Sequence, residues 1–244
     1  MNTKNILTRR KISRYGWQPD LPDHRDHQFS APLLKLGPLP AKADLRKQCP
    51  KVYDQGQIGS CTANAIAAAI EFDLMKQKLK DFVPSRLFIY YNERDMEHTV
   101  ATPADPNTNL WPPGAKPAQK PSPQCYADAL KNKAVSYERV TRDLAQFKGC
   151  LAAGYPFVLG FTVYSAFESA QVAKTGTLNL PTSAEQVEGG HAVLAIGYDD
   201  AAQRFIIRNS WGASWGMKGC FTMPYAYLLS EKLSSDFWTI RLVQ

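Results

Sequence analysis

No run in this 244-residue chain approaches the roughly 20 consecutive apolar residues that a membrane-spanning helix needs. The opening MNTKNILTRRKISRYG also lacks the apolar stretch of a secretory signal. Neither membrane insertion nor classical secretion is legible, so the expectation is a cytoplasmic or non-classically exported protein. Cysteine is sparse. Cys49, Cys61, Cys125, Cys150 and Cys220 make five, an odd number without a CxxC pair. That excludes a framework pairing every thiol within the chain and argues against a zinc ribbon. Of four histidines, His24 and His27 form an HxxH, but they sit in a charged leader with no Glu or Cys at ligand spacing. A solvated pair is expected there, and no metal or organic cofactor is implied. Internal repeats are absent. What is present is ordinary core material: 44% hydrophobic and 11% aromatic residues, enough to exclude a disordered or collagen-like chain.

The net charge of +7 is not spread along the chain. Residues 1–51 carry 11 Lys/Arg against 4 Asp/Glu, whereas residues 52–244 carry 18 of each. A nucleic-acid module sets its basic residues along a folded face among aromatics, while Arg9, Arg10, Lys11 and Arg14 occupy a polar stretch with little core-forming content. A solvated arm is the reading for this region. A phosphate-bearing ligand could dock on it, but no clear nucleic-acid or membrane partner is specified.

Residues 1–39 read as an N-terminal extension or short pro-region, because WQPDLPDHRD mixes proline and charge without helical periodicity. From Ser60 the character changes. CTANAIAAAIEFDLMKQKL is rich in alanine and free of Gly and Pro, with Ala65, Ala69, Phe72 and Met75 at helical spacing. A second helix is expected after Pro84 and Ser85, with Leu87, Phe88 and Tyr91 on its inner face. Residues 103–123 hold seven of the 17 prolines and read as an irregular surface segment. A short helix from about Asp143 to Ala153 and four β-rich runs follow: PFVLGFTVY, HAVLAIGYD, RFIIRNSW and DFWTIRLV. The order predicts an α+β chain, with a helical lobe over about 50–130, a sheet-rich lobe over about 131–244 and a cleft between them for chemistry.

Cys61 stands where a glycine-containing turn, QGQIGS, meets the first long helix. There the unpaired amides and the positive end of the helix dipole favour a thiolate. A cysteine at a helix start more often only caps or packs. A histidine opening an apolar strand, as His191 does in GGHAVLAIGYD, is likewise more often a satisfied core residue. Asn209 lies in RNSWGASWG, 148 residues beyond Cys61, with His191 at 130. A nucleophilic thiol needs a base to take and return its proton, and the base needs a polar group to fix its tautomer.

QGQIGSC, GGHAVLAIGY and NSWGASWG, in that order and spacing, together resemble the papain-like cysteine peptidases, from about Pro40 to the C-terminus. PSRLFIYYNER and the leader containing PDLPDHRDH look closer to the bacterial branch. The resemblance implies a two-lobed fold with a helical lobe and a β-barrel-like lobe, and hydrolysis of peptide or protein substrates through an acyl-enzyme. Cys61 would attack, His191 would shuttle the proton, Asn209 would orient His191, and Gln55 would donate its side-chain amide to the oxyanion. Trp211 would shield the Asn209–His191 bond. Gly189 and Gly190 would leave backbone open to substrate, and Ala192 would line a pocket preferring an apolar residue at P2. Ile58 and Thr62 replace residues of the family pattern QGxCGSCW, so the disulfide made by the first of those cysteines cannot form. The family's glycine-rich cleft strand has no counterpart between Met96 and Tyr126. Pairing among Cys49, Cys125, Cys150 and Cys220 stays open.

For the extension, two expectations stand side by side: a disordered tail, or a latch lying across the cleft. Two rivals to hydrolysis share the site, namely acyl transfer of the transglutaminase or ligase kind and a catalytically silent peptide-binding module. An added amine acceptor separates the first, and a Cys61→Ala variant the second.

Overall fold

A computed structural model describes residues 15–21, 23–32, 37–98 and 116–244. The basic cluster Arg9 to Arg14 and most of the proline-rich segment lie outside the described residues.

The alanine-rich stretch forms α1, Cys61–Lys76. It is apolar on nearly all sides, as befits a helix enclosed in a core: Ala65, Ala67, Ala68, Ala69 and Phe72 are all buried. Small side chains let its backbone lie close to the sheet, and it packs chiefly on the long strand that carries His191. Helix α2, Arg86–Met96, starts where Ser85 Oγ accepts a hydrogen bond from Phe88 N at 3.2 Å. Its buried residues are Tyr90, Tyr91 and Arg94. Leu87 and Phe88, expected inside, are only partly buried. Phe88 instead meets Tyr126 edge-on at 5.2 Å, on the short helix α3, Pro123–Ala129. The proline density concealed α3, yet proline is well suited to a first helical turn, where its missing N–H is no loss. Helix α4, Leu144–Ala152, begins at the Asp143 cap, which accepts from Gln146 N at 3.0 Å.

Eight strands form one mixed sheet: β1 Gln28–Phe29, β2 Lys42–Asp44, β3 Ala134–Val140, β4 Phe157–Tyr164, β5 Val187–Asp199, β6 Arg204–Arg208, β7 Cys220–Pro224 and β8 Ser234–Val243. Their spatial order is β1-β3-β8-β4-β5-β6-β7, with β2 added along β5. The path is open: among the described residues no ladder joins β1 to β7. β5 is the organising strand. It pairs with β4 over Phe157↔Ala195 to Tyr164↔Val187, with β6 over Leu194↔Arg208 to Asp199↔Arg204, and with β2 at its far end. Two short helices, α5 Ala170–Thr175 and α6 Tyr225–Leu229, complete the elements used below. Under α4, Phe147 stacks on Phe157 at 5.2 Å and meets Phe237 at 4.6 Å, closing the core on that face.

Part of the extension belongs to this architecture. Gln28 and Phe29 pair in parallel with Arg139 and Val140 of β3, and the Phe29 ring is buried in the main core. Among the described residues, no helix is long and apolar enough to cross a membrane.

Candidate active site

The turn ahead of α1 is built backbone first. Gly56 takes a positive φ of 63°, and Asp54 Oδ1 accepts from its N–H at 2.9 Å, so the chain reverses tightly before Ile58. Ile58, Ser60 and Cys61 have no exposed surface. Cys61 is the first residue of α1, and Ser60 offers no side-chain cap. The first-turn amides therefore leave their positive end beside the sulfur. Gln55 is held at three points. Its backbone N–H donates to Ser210 O at 2.8 Å, its Oε1 accepts from Ser210 Oγ at 2.6 Å, and its Nε2 donates to Ile58 O at 3.0 Å. The carboxamide oxygen is thus fixed toward Ser210, and the amide end is turned toward the segment that leads into Cys61.

His191 lies on β5 opposite Phe161 of β4, and Asn209 immediately follows β6. The adjacent pairing of β5 and β6 brings the two side chains together, with His191 Nε2 and Asn209 Oδ1 at 2.8 Å. The same Oδ1 accepts from Ser210 N–H at 2.8 Å. A backbone N–H can only donate, so this atom must be the acceptor, and the hydrogen between ring and amide belongs to Nε2. In the neutral ring the lone pair is then on Nδ1. Around the imidazole stand Trp211 at 5.3 Å, Phe161 at 5.7 Å and Phe167 at 6.0 Å between ring centroids. This aromatic case keeps water from the Nε2–Oδ1 bond and strengthens it electrostatically. Trp211 is itself pinned, as Asp54 and Trp211 form a β-bridge.

One ionisable group near the thiol had no signal in the sequence. Glu93 of α2 has two buried carboxylate oxygens with no hydrogen-bond partner among the described residues. Burial, reinforced by the proximity of Cys61, pushes its carboxyl up to about 8.

The residues missed most clearly by sequence reasoning are those of the extension that lie over this site. Trp17 N–H donates to Gly190 O at 3.3 Å. The Tyr15 ring meets His191 edge-on at 5.8 Å, and its hydroxyl donates to Glu168 Oε1 at 2.8 Å. The same hydroxyl lies within electrostatic reach of Cys61, and its proton is held well above the ordinary tyrosine range, first by burial and then by the Glu168 bond. Between them Gly16 passes so close to the turn that a Cβ on it would overlap Gly59 O. Arg94 Nη2 ties both strands of this contact, donating to Gly16 O at 2.8 Å and Gly59 O at 3.4 Å. The Trp17 indole lies on Gly160 and Gly190, where an added Cβ would overlap the ring or stand 2.5 Å from it. With the segment in place, Cys61 and His191 have no solvent-exposed surface. The aromatic pair flanking a glycine, Tyr-Gly-Trp in an otherwise polar leader, is the signal that could have revealed it.

Hydrogen bonds thus link Gln55 through Ser210 to Asn209 and His191, and Trp211 lies on His191. Tyr15 lies beside His191 and within electrostatic reach of Cys61, and Gly189 and Gly190 lie beneath Tyr15 and Trp17. Ala192 pairs with Gly160 and so shares the sheet face on which Trp17 lies. Outside this group, His24 is almost fully exposed beside Asp23. All five cysteines are free thiols.

Comparison with known proteins gives a consistent result. Residues 90–230 match the model of the papain family cysteine proteases, a span that contains His191 and Asn209 and begins after Cys61. An uncharacterized peptidase C1-like protein of Acanthamoeba polyphaga mimivirus is 39% identical over 95% of this chain and 88% of its own length. Xylellain, a cysteine protease from Xylella fastidiosa, superposes with a TM-score of 0.85 at 43% identity, covering 98% of this chain and all of that one. The procathepsin B S9 of Trypanosoma congolense shares the fold at a TM-score of 0.62 and 14% identity, covering 90% of this chain and 82% of its own.

Proposed function

This chain belongs to the papain family of cysteine proteases, and from that premise we propose that Cys61, His191 and Asn209 form its catalytic triad, with Gln55 at the oxyanion. The observation that carries the reading is the shared acceptor at Asn209 Oδ1, which puts the Nε2 hydrogen on His191 and leaves Nδ1 to take a proton. In the first step the Cys61 thiol proton passes to Nδ1 and the sulfur bonds to the scissile carbonyl carbon. The carbonyl oxygen gains charge, which the Gln55 amide and the Cys61 backbone N–H at the head of α1 would stabilise. His191 returns the proton to the leaving amine as the C–N bond breaks, leaving a thioester. Water, deprotonated by the same imidazole, then releases the acid. Asn209 acts through His191, holding its tautomer inside the aromatic case.

The same reading makes Tyr15 to Trp17 an intramolecular latch. Its support is the burial of Cys61 and His191 beneath the segment, and its anchors on Gly190, Glu168, Arg94 and Asp236. Peptide and protein substrates would reach the thiol when this segment lifts.

Labelling with an epoxysuccinyl thiol inhibitor, followed by peptide mapping, tests the nucleophile. Modification confined to Cys61, and loss of peptide hydrolysis in a folded Cys61→Ala variant, are expected. Retained hydrolysis in that variant would refute the assignment. Replacing Gln55 by Ala should lower kcat by about 10²- to 10³-fold with little change in KM.

A further inference from the structure

The slot that holds Trp17 has a chemical character distinct from its walls. Gly160 and Gly190 present bare backbone, so the floor is flat and fits a planar ring. At the far edge of the ring stands Asp236, whose Oδ2 accepts from Trp17 Nε1 at 3.0 Å and from Asp20 N at 3.0 Å. Asp236 sits at a positive φ of 57°, a conformation that non-glycine residues adopt infrequently, and its side chain is only 11% exposed. Its other oxygen, Oδ1, faces Arg139 Nη1 at 3.5 Å. Arg139 is held independently by Asp26 at 2.7 Å, on the stretch of chain that runs into β1 and stays with the sheet. When residues 15–20 lift away, Oδ1 keeps its cation, while Oδ2 loses both donors and faces the emptied slot.

From this we infer that Asp236 is a specificity-determining residue, selecting substrates whose side chain in this slot is a planar ring with an N–H donor at its edge, tryptophan above all. The inference rests on the cleft beneath the latch being the substrate cleft. A ring of the same shape without the donor would leave a largely buried carboxylate oxygen unpaired, which sites of this kind discriminate against strongly. A cationic side chain gains less, because Arg139 already offsets the carboxylate. The slot therefore differs from a pocket lined by Ala192 alone, for which any apolar side chain would serve.

The test uses the full chain carrying Trp17→Ala, which empties the slot, with Cys61→Ala added for binding measurements. Peptides would carry tryptophan, benzothienylalanine, leucine or arginine at each position in turn, and their Kd values would be measured by calorimetry. Benzothienylalanine has the shape of tryptophan with sulfur in place of the ring N–H. At one position tryptophan should bind about 10- to 100-fold tighter than benzothienylalanine. Asp236→Gly, which keeps the positive φ and removes the acceptor, should bring that ratio to about one. Asp236→Asn, which retains an acceptor and also tolerates this backbone, should keep a reduced preference. Equal binding of the two rings with Asp236 present, an undiminished preference in Asp236→Gly, or tighter binding of arginine than tryptophan would each overturn the assignment. Hydrolysis by the Trp17→Ala chain with Cys61 intact is read separately. Selective binding without cleavage would sink the catalytic reading and leave the slot standing, whereas cleavage without tryptophan selectivity would do the reverse.

Discussion

Replacing Trp17 by alanine should open the enzyme, and the size of the effect follows from what the side chain touches. The indole donates to a carboxylate, a bond to a charged group worth about 1.5–3 kcal/mol. The ring also packs against Gly160 and Gly190 while remaining partly exposed, which adds about 1–2 kcal/mol of apolar burial. Removing both weakens closure by roughly 2.5–5 kcal/mol, or about 10²- to 10⁴-fold in the ratio of closed to open forms. Tyr15 and Gly16 keep their bonds to Glu168 and Arg94, so the segment stays tethered and the gain in reactivity is bounded by the open fraction of the parent. The expected outcome is at least a tenfold rise in the second-order rate of Cys61 labelling and in kcat/KM for a small fluorogenic peptide. Salt should leave the difference largely intact, because the lost contacts are half-buried rather than surface ion pairs. Thermal denaturation run in parallel should show a small fall in Tm. If Tm falls while labelling and turnover stay at parental values, Trp17 is merely packing and the latch is wrong. Truncating the whole extension is a poorer test, because Phe29 and β1 belong to the core and sheet.

Gly160→Ala should separate access from binding: its Cβ overlaps the indole, so a small alkylating reagent should label Cys61 faster while bulky-ringed peptides gain little, as the slot is narrowed. Asn209→Ala should lower kcat by at least tenfold through loss of the His191 tautomer, and the pH–rate profile of the variant should shift, which a purely structural lesion would not produce. Asp73, buried in α1, has its carboxyl raised from 3.8 to about 7 by burial, which Lys76 and Arg241 only partly offset. The native state then holds a proton that the unfolded chain has released, so stability falls as pH rises from about 4 to about 7, by up to roughly 4 kcal/mol, and levels above that. Asp73→Asn should flatten this slope and leave the variant more stable than the parent at pH 8 in urea unfolding, with little difference at pH 4. A parental slope in the variant would refute the assignment. Glu93, raised to about 8, acts in the same direction and should leave a residual slope.

Local patterns made α1, α2 and α4 legible in the sequence, because capping and helical periodicity are properties of neighbours along the chain: alanine from Ala65 to Ala69, the Ser85 cap and the Asp143 cap. The runs that became β4, β5, β6 and β8 were equally readable from their apolar, β-branched content. The spacing of Cys61, His191 and Asn209 carried the family resemblance, since motifs record side chains that chemistry needs whatever separates them. Strand β3, with its mixed exposed and buried residues, and the short β1, β2 and β7 had weaker signals and acquire their roles by pairing. The course of Tyr15 to Trp17 was decided by tertiary structure alone. The Tyr-Gly-Trp pattern marks aromatic rings that need cover, but nothing within the leader says where they dock, because the groups that hold them, Gly190, Glu168, Arg94 and Asp236, lie between 78 and 219 residues away along the chain and meet the segment only once the sheet and α1 have assembled. The donor-accepting edge of the Trp17 slot is likewise a product of assembly. Asp236 reads in sequence as an ordinary acidic residue opening the run DFWTIRLV, and only the fold turns one of its oxygens to Arg139 and the other to Trp17.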